Sequence, residues 1–165
     1  MNNEKKIMVS IKSAHFTPNE NYIKNISVVD PFAPERFDAV DAQRIDVDYA
    51  GTLSTRDGRL IIRYEESELT GMLGATTEVS FDLSDPSIVM MQRTGVVKTS
   101  FCFEEGARIE CVQETGEFAL SFVVDTAAMS NGLGTDGGDL KISYAMEVRG
   151  NLVQRSLMHL TVSLA

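Results

Sequence analysis

An Asp57-Gly58 dipeptide separates two runs whose apolar residues alternate. Before it, Ile45, Val47, Tyr49 and Leu53 share one parity, with Asp46, Asp48 and Thr52 on the other; after it, Leu60, Ile62 and Tyr64 recur at every second place. A two-residue type I′ turn needs positive φ at both central positions, and Asp-Gly meets that need at low cost. Such a turn pairs Arg56 with Arg59, Thr55 with Leu60 and Leu53 with Ile62, and puts both apolar sets on one face. Turn chemistry and hydrophobic parity therefore specify the same register independently. Residues 44–83 demand an antiparallel sheet with a buried face.

The rest of the chain repeats this pattern. Ile7, Val9 and Ile11 form one face of a first strand, and residues 13–43 follow without sustained periodicity. Thr77, Val79, Phe81 and Leu83 form an inward set, ended by Ser84-Asp85-Pro86. Residues 88–93 run on to Thr94-Gly95, and Val97, Phe101 and Phe103 follow up to Glu105-Gly106. A two-residue Thr115-Gly116 turn brings Ile109, Cys111 and Gln113 to face Phe122, Leu120 and Phe118. The stretch after Asp125, TAAMSNGLGTDGG, breaks the pattern and has room for one helical turn. Leu140, Ile142, Tyr144, Met146 and Val148 then alternate cleanly, and a loop at Gly150-Asn151 leads to Met158, Leu160, Val162 and Leu164. Short strands at even spacing, joined by sequential hairpins, predict an all-β, antiparallel up-and-down barrel of roughly eight to ten strands, closed so that no edge is left unpaired. The expected organisation is one domain over residues 1–165, with a long irregular insertion at about 13–43.

Composition narrows the partners. Fifteen basic residues against 24 acidic ones leave a formal charge of −9, the opposite of the footprint that nucleic acid or an anionic membrane requires. No run approaches the roughly 18 apolar residues of a membrane span. The first residues lack the continuous apolar core of a signal peptide, so a cytoplasmic location is expected. Two cysteines, Cys102 and Cys111, make no disulfide framework, and no Cys/His pair has zinc spacing. No cofactor is expected. Asp136-Gly137-Gly138-Asp139 resembles a calcium loop only in composition; its spacing fits a turn and not an EF-hand.

Several short motifs follow one another from Gly58 to Leu164: YEES at 64–67, Gly71, Thr76-Thr77, Arg93 and Gly95 as R-x-G, Phe103 and Gly106, Gly116, Thr126, and L-K-I-S-Y ending at Tyr144. In these the chain resembles the YwiB-like family, small bacterial proteins of unknown function. The likeness covers about two-thirds of the chain plus its first strand, and the 13–43 insertion departs from the compact family pattern. What the resemblance implies is a lipocalin-like (calycin) barrel and no established activity, so no catalytic residue is carried over.

Parity turns Glu66 inward after Leu60, Ile62 and Tyr64, where its carboxylate must be paired, hydrogen-bonded or protonated. The default is a strand emerging at the barrel mouth, with Glu66 solvated or paired locally; the functional alternative is an anchor for a ligand's polar head. Arg93 is the tempting partner, but a two-residue Thr94-Gly95 loop pairs it with Val96 and points it outward. Tyr49, Tyr64, Gln113 and Tyr144 face inward by the same parity. They cap a solid core by default, and line a ligand cavity otherwise. Cys111 reads as buried and Cys102 as more exposed. His15 falls in the irregular segment and His159 on the outer face of the last strand, so neither serves a nucleophile. The leading functional expectation is non-catalytic binding of a small, partly apolar ligand inside the barrel. The alternative is an interaction module with a filled core, using the 13–43 insertion or an outer face to dock a partner or a second copy. An enzyme built on Glu66 and a tyrosine lacks an assembled nucleophile, metal or cofactor set.

Overall fold

The alternating parity closes on itself. The computed structural model describes residues 4–16, 43–67 and 74–165. Its strands are β1 (Lys5–Phe16), β2 (Gln43–Arg56), β3 (Arg59–Glu65), β4 (Thr76–Asp82), β5 (Asp85–Thr94), β6 (Lys98–Glu104), β7 (Arg108–Glu114), β8 (Ala119–Asn131), β9 (Gly138–Val148) and β10 (Asn151–Leu164). Each pairs antiparallel with the next, and β1 pairs with β10, so the ten strands form a closed up-and-down barrel. Closure satisfies every edge that an open sheet would expose. Among the described residues no helix is long and apolar enough to cross a membrane.

The Asp57-Gly58 turn has φ of 52° and 79°, and Arg56 lies opposite Arg59, Thr55 opposite Leu60 and Leu53 opposite Ile62, as the dipeptide predicts. A second tight turn falls at Arg149-Gly150, with φ of 54° and 80°. It lies one residue before the expected loop, so that Val148 pairs with Asn151.

Four departures from the sequence reading have simple causes. β1 continues to Phe16, with Ala14 held between Arg44 and Leu157. Residues 13–16 are thus strand, and 17–42 lie outside the described residues. The stretch after Asp125 contains no helical turn: β8 runs on to Asn131 through a bulge between Thr126 and Ala128. A bulge absorbs the extra residue that interrupted the alternation. The Thr115-Gly116 connection is longer than two residues, so Gln113 meets Leu120 and Cys111 meets Phe122. That two-residue shift keeps every side chain on its expected face. The Thr94-Gly95 loop is longer by three, and Arg93 pairs with Thr99, not Val96. An odd shift reverses the face, so Arg93 points inward.

One end of the barrel is solid. Ile7, Val9, Leu53, Leu60, Ile62, Phe81, Leu140 and Leu160 are fully buried there, and Leu133, from the β8–β9 connection, packs against them. The apolar alternation outruns the barrel wall at several strand ends, where Leu83, Phe118, Leu120 and Leu164 are exposed. The other end, where β1 leads to β2, β3 to β4, β5 to β6, β7 to β8 and β9 to β10, holds the inward-facing polar residues.

Candidate functional site: a polar cavity in the barrel mouth

The mouth is built by extending the inward parity one or two steps past the apolar core. On β3 the sequence Leu60, Ile62, Tyr64 continues to Glu66, whose N–H still bonds the carbonyl of Ala75 at 2.8 Å. Its side chain is 1% exposed. On β5, Val89 and Met91 continue to Arg93; on β6, Phe103 and Phe101 continue to Thr99; on β1, Ile11 continues through Ser13 to His15.

These extensions converge on Glu66. Thr77 Oγ1 donates to Glu66 Oε1 at 2.7 Å, and the Tyr49 hydroxyl donates to Oε2 at 3.0 Å. Arg93 Nε stands 3.5 Å from Oε1, ion-pair distance rather than a short hydrogen bond. The guanidinium carbon lies 5.8 Å from the centre of the Phe101 ring, over its face, where the ring quadrupole attracts a cation. Tyr49 in turn stacks on Tyr64 with centroids 4.8 Å apart. The buried carboxylate is thus met by two hydroxyls and one guanidinium, which is what makes burying a charge tolerable.

Beside this pair lies a cavity of about 340 Å³, within the range of small-molecule sites though at its lower end. Its deeper wall is apolar, from Val47, Met91, Phe101, Tyr144 and Met158, and its outer wall carries His15, Gln43, Arg93, Gln113 and Gln154. Four of the five residues read from the sequence, Tyr64, Glu66, Gln113 and Tyr144, line it; Tyr49 stands behind Glu66 as a hydrogen-bond donor. Glu66 is buried and paired instead of solvated, and the internal Glu66–Arg93 bridge, disfavoured by the two-residue loop, is present. His15 and Arg93 are the lining residues that sequence reasoning misplaced. For both, the signal was available in the strand: Ile11-x-Ser13-x-His15 and Val89-x-Met91-x-Arg93 each continue one parity.

Tyr64, Tyr144 and His15 are each shifted toward their neutral forms. Burial pushes the Tyr64 phenol far above its ordinary value, and the nearby Glu66 charge adds to it; burial also raises Tyr144. His15 is lowered, first by burial and then by the Arg93 charge. Its Nδ1 shares a 2.8 Å hydrogen bond with Ser156 Oγ. Ser156 is itself buried and does not line the cavity, so the pair holds a ring in place and does not present a nucleophile. Cys111 is buried and Cys102 half-buried, and burial raises both thiols, the reverse of what a reactive cysteine needs. Among the described residues no group of His, Cys, Asp or Glu is arranged to hold a metal ion.

The lowered His15 makes a prediction. The unfolded chain binds a proton there at a higher pH than the native chain does, so stability rises with pH across that window. Urea midpoints should therefore fall as pH drops below about 6.5, and His15→Gln should flatten that part of the profile. An unchanged slope in the variant would assign the acid sensitivity to other groups.

A family model described as a domain of unknown function (DUF1934) matches residues 35–160. Among solved structures, the crystal structure of the ywiB protein from Bacillus subtilis superposes with a TM-score of 0.72 at 17% identity, over 98% of this chain and 93% of that one. At that identity the likeness speaks for the fold alone. No curated protein matches the chain.

Proposed function

The chain belongs to the family described as a domain of unknown function (DUF1934), and from that premise we propose that it is a non-catalytic binder of a small, partly apolar ligand held in the mouth of the barrel. One observation carries the reading: the inward polar residues surround a cavity of about 340 Å³, while the opposite end of the same barrel is packed solid. A barrel of this size can fill its interior throughout; here the hollow coincides with Arg93, Glu66 and the glutamines. Calycin barrels that carry ligands also hold them in the barrel interior, and this analogy supports the reading at the level of fold only. The acid excess of −9 supports a free small molecule over nucleic acid or an anionic membrane as the partner.

The test is native mass spectrometry of freshly purified protein. The expected result is an adduct of a few hundred daltons or less that leaves on denaturation. A bare chain mass, together with no displacement of cavity resonances by any amphiphile, would remove the proposal. In its place would stand the alternative that the protein docks a partner or a second copy, which size exclusion over a range of concentrations reads directly.

A further inference from the structure

Resting on the reading of the mouth as a ligand cavity, the geometry points to the chemical class of the ligand: we infer that it carries a single carboxylate, taken by the terminal nitrogens of Arg93, with an apolar body lying on the deeper wall.

Among the described residues lining the cavity, Arg93 and Glu66 are the charged ones. Their charges cancel in sum, but the pairing leaves most of the guanidinium's donors unused. A guanidinium has five N–H donors in a fixed fork. Arg93 Nε stands 3.5 Å from Glu66 Oε1, and that nitrogen makes no hydrogen bond. Both Glu66 oxygens already accept from the hydroxyls of Thr77 and Tyr49. The terminal nitrogens of Arg93 have no partner among the described residues, and the side chain keeps 24% exposure. The Phe101 ring lies beneath the guanidinium, its centre 5.8 Å from the guanidinium carbon. A guanidinium with unused terminal donors matches the two oxygens of a carboxylate. Glu66 also limits the charge: beside the Glu66–Arg93 pair a ligand carboxylate leaves one net negative charge and a dianionic phosphate two, so the smaller charge is favoured. The apolar wall of Met91, Phe101, Tyr144 and Met158 accepts an alkyl or aryl body. With about 30 Å³ per small heavy-atom group, the cavity holds roughly ten non-hydrogen atoms, the size of a medium-chain fatty acid or an aryl-alkyl acid.

The experiment titrates methyl-labelled methionine protein with octanoate and, separately, with 1-octanol, and follows the methyl resonances of Met91, Met146 and Met158 by NMR. Octanoate is expected to bind at least about tenfold more tightly than octanol, the worth of a hydrogen bond to a charged group. Arg93→Gln is expected to bring the ratio close to one. Equal binding of the two probes to the wild-type protein would overturn the carboxylate inference and leave the cavity reading standing. A ratio that survives Arg93→Gln would overturn it too, because the anion would then be recognised elsewhere. No shift with either probe up to millimolar concentration would overturn the cavity reading and the inference with it. The wild-type comparison needs no variant, so it decides the matter even if Arg93→Gln does not fold.

Discussion

Glu66→Ala is expected to lower the stability of the barrel by about 3–5 kcal/mol, the cost of removing one member of a buried ion pair. The side chain is 1% exposed, accepts hydrogen bonds from Thr77 Oγ1 and the Tyr49 hydroxyl, and stands at ion-pair distance from Arg93 Nε. Truncation leaves two buried hydroxyls seeking new acceptors and a guanidinium facing a void. The denaturant midpoint should fall while the slope stays unchanged, since the surface exposed on unfolding is the same. Tyr49→Phe should cost less, about 1.5–3 kcal/mol, because it removes one hydrogen bond to a charged group and keeps the stack on Tyr64. A double variant, Glu66→Leu with Arg93→Met, should recover the part of the loss that comes from the unpaired guanidinium, since apolar replacements of a buried pair are often neutral, while the Thr77 and Tyr49 hydroxyls still lack their acceptor. A double variant that folds well yet no longer distinguishes octanoate from octanol would mean that the pair is kept for recognition and not for stability. A loss of under about 1 kcal/mol for Glu66→Ala would show that water replaces the carboxylate at no great cost, and that the site is more open than its burial indicates.

How this pair was and was not legible follows from what parity can carry. Within a strand, alternation fixes the face of every residue, and a tight turn passes that information to the next strand. The Asp57-Gly58 register, followed back past Gly51 opposite Tyr64, brings Tyr49 opposite Glu66, so the hydrogen bond between them was implicit in the hairpin. Arg93 was lost at a loop. The β5–β6 connection is longer than its Thr94-Gly95 signal by an odd number of residues, and the face reverses. The β7–β8 connection is also longer than its signal, but by an even number, and Gln113 stays where parity put it. Turn residues identify where a chain reverses, but the number of residues left unpaired depends on strand twist and on neighbours that a single hairpin does not contain. His15 was missed for a different reason: β1 continues because β2 and β10 flank it on both sides, and such support comes from residues far away in sequence. The cavity itself has no sequence signature. Tyr64, Gln113 and Tyr144 would occupy the same inward positions in a filled barrel.

Phe103→Ala is expected to cost about 3–5 kcal/mol, as large-to-small changes of buried aromatics do. Phe103 is fully buried, with its ring centre 5.8 Å from that of Phe101 and 4.9 Å from that of Tyr144. Those two rings line the cavity and Phe103 does not; it is the layer between the hollow mouth and the packed end. Its removal should therefore deepen the existing cavity, and the surroundings cannot collapse freely because ten hydrogen-bonded strands hold the wall. The stability lost to the void should then be partly returned by an apolar ligand that fills it. Saturating octanol should raise the urea midpoint of Phe103→Ala by more than it raises that of the wild-type protein, since a ligand that binds only the native state stabilises it in proportion to its affinity. Equal rises would mean that the new void is sealed from the mouth. A cost below about 1.5 kcal/mol would mean that the barrel relaxes around the missing ring, and that the boundary between its hollow and solid ends is soft. Either result bears on size selection. A firm Phe103 floor limits the ligand to the length of the present cavity, and a soft one admits longer chains without any change in the residues that hold the head group.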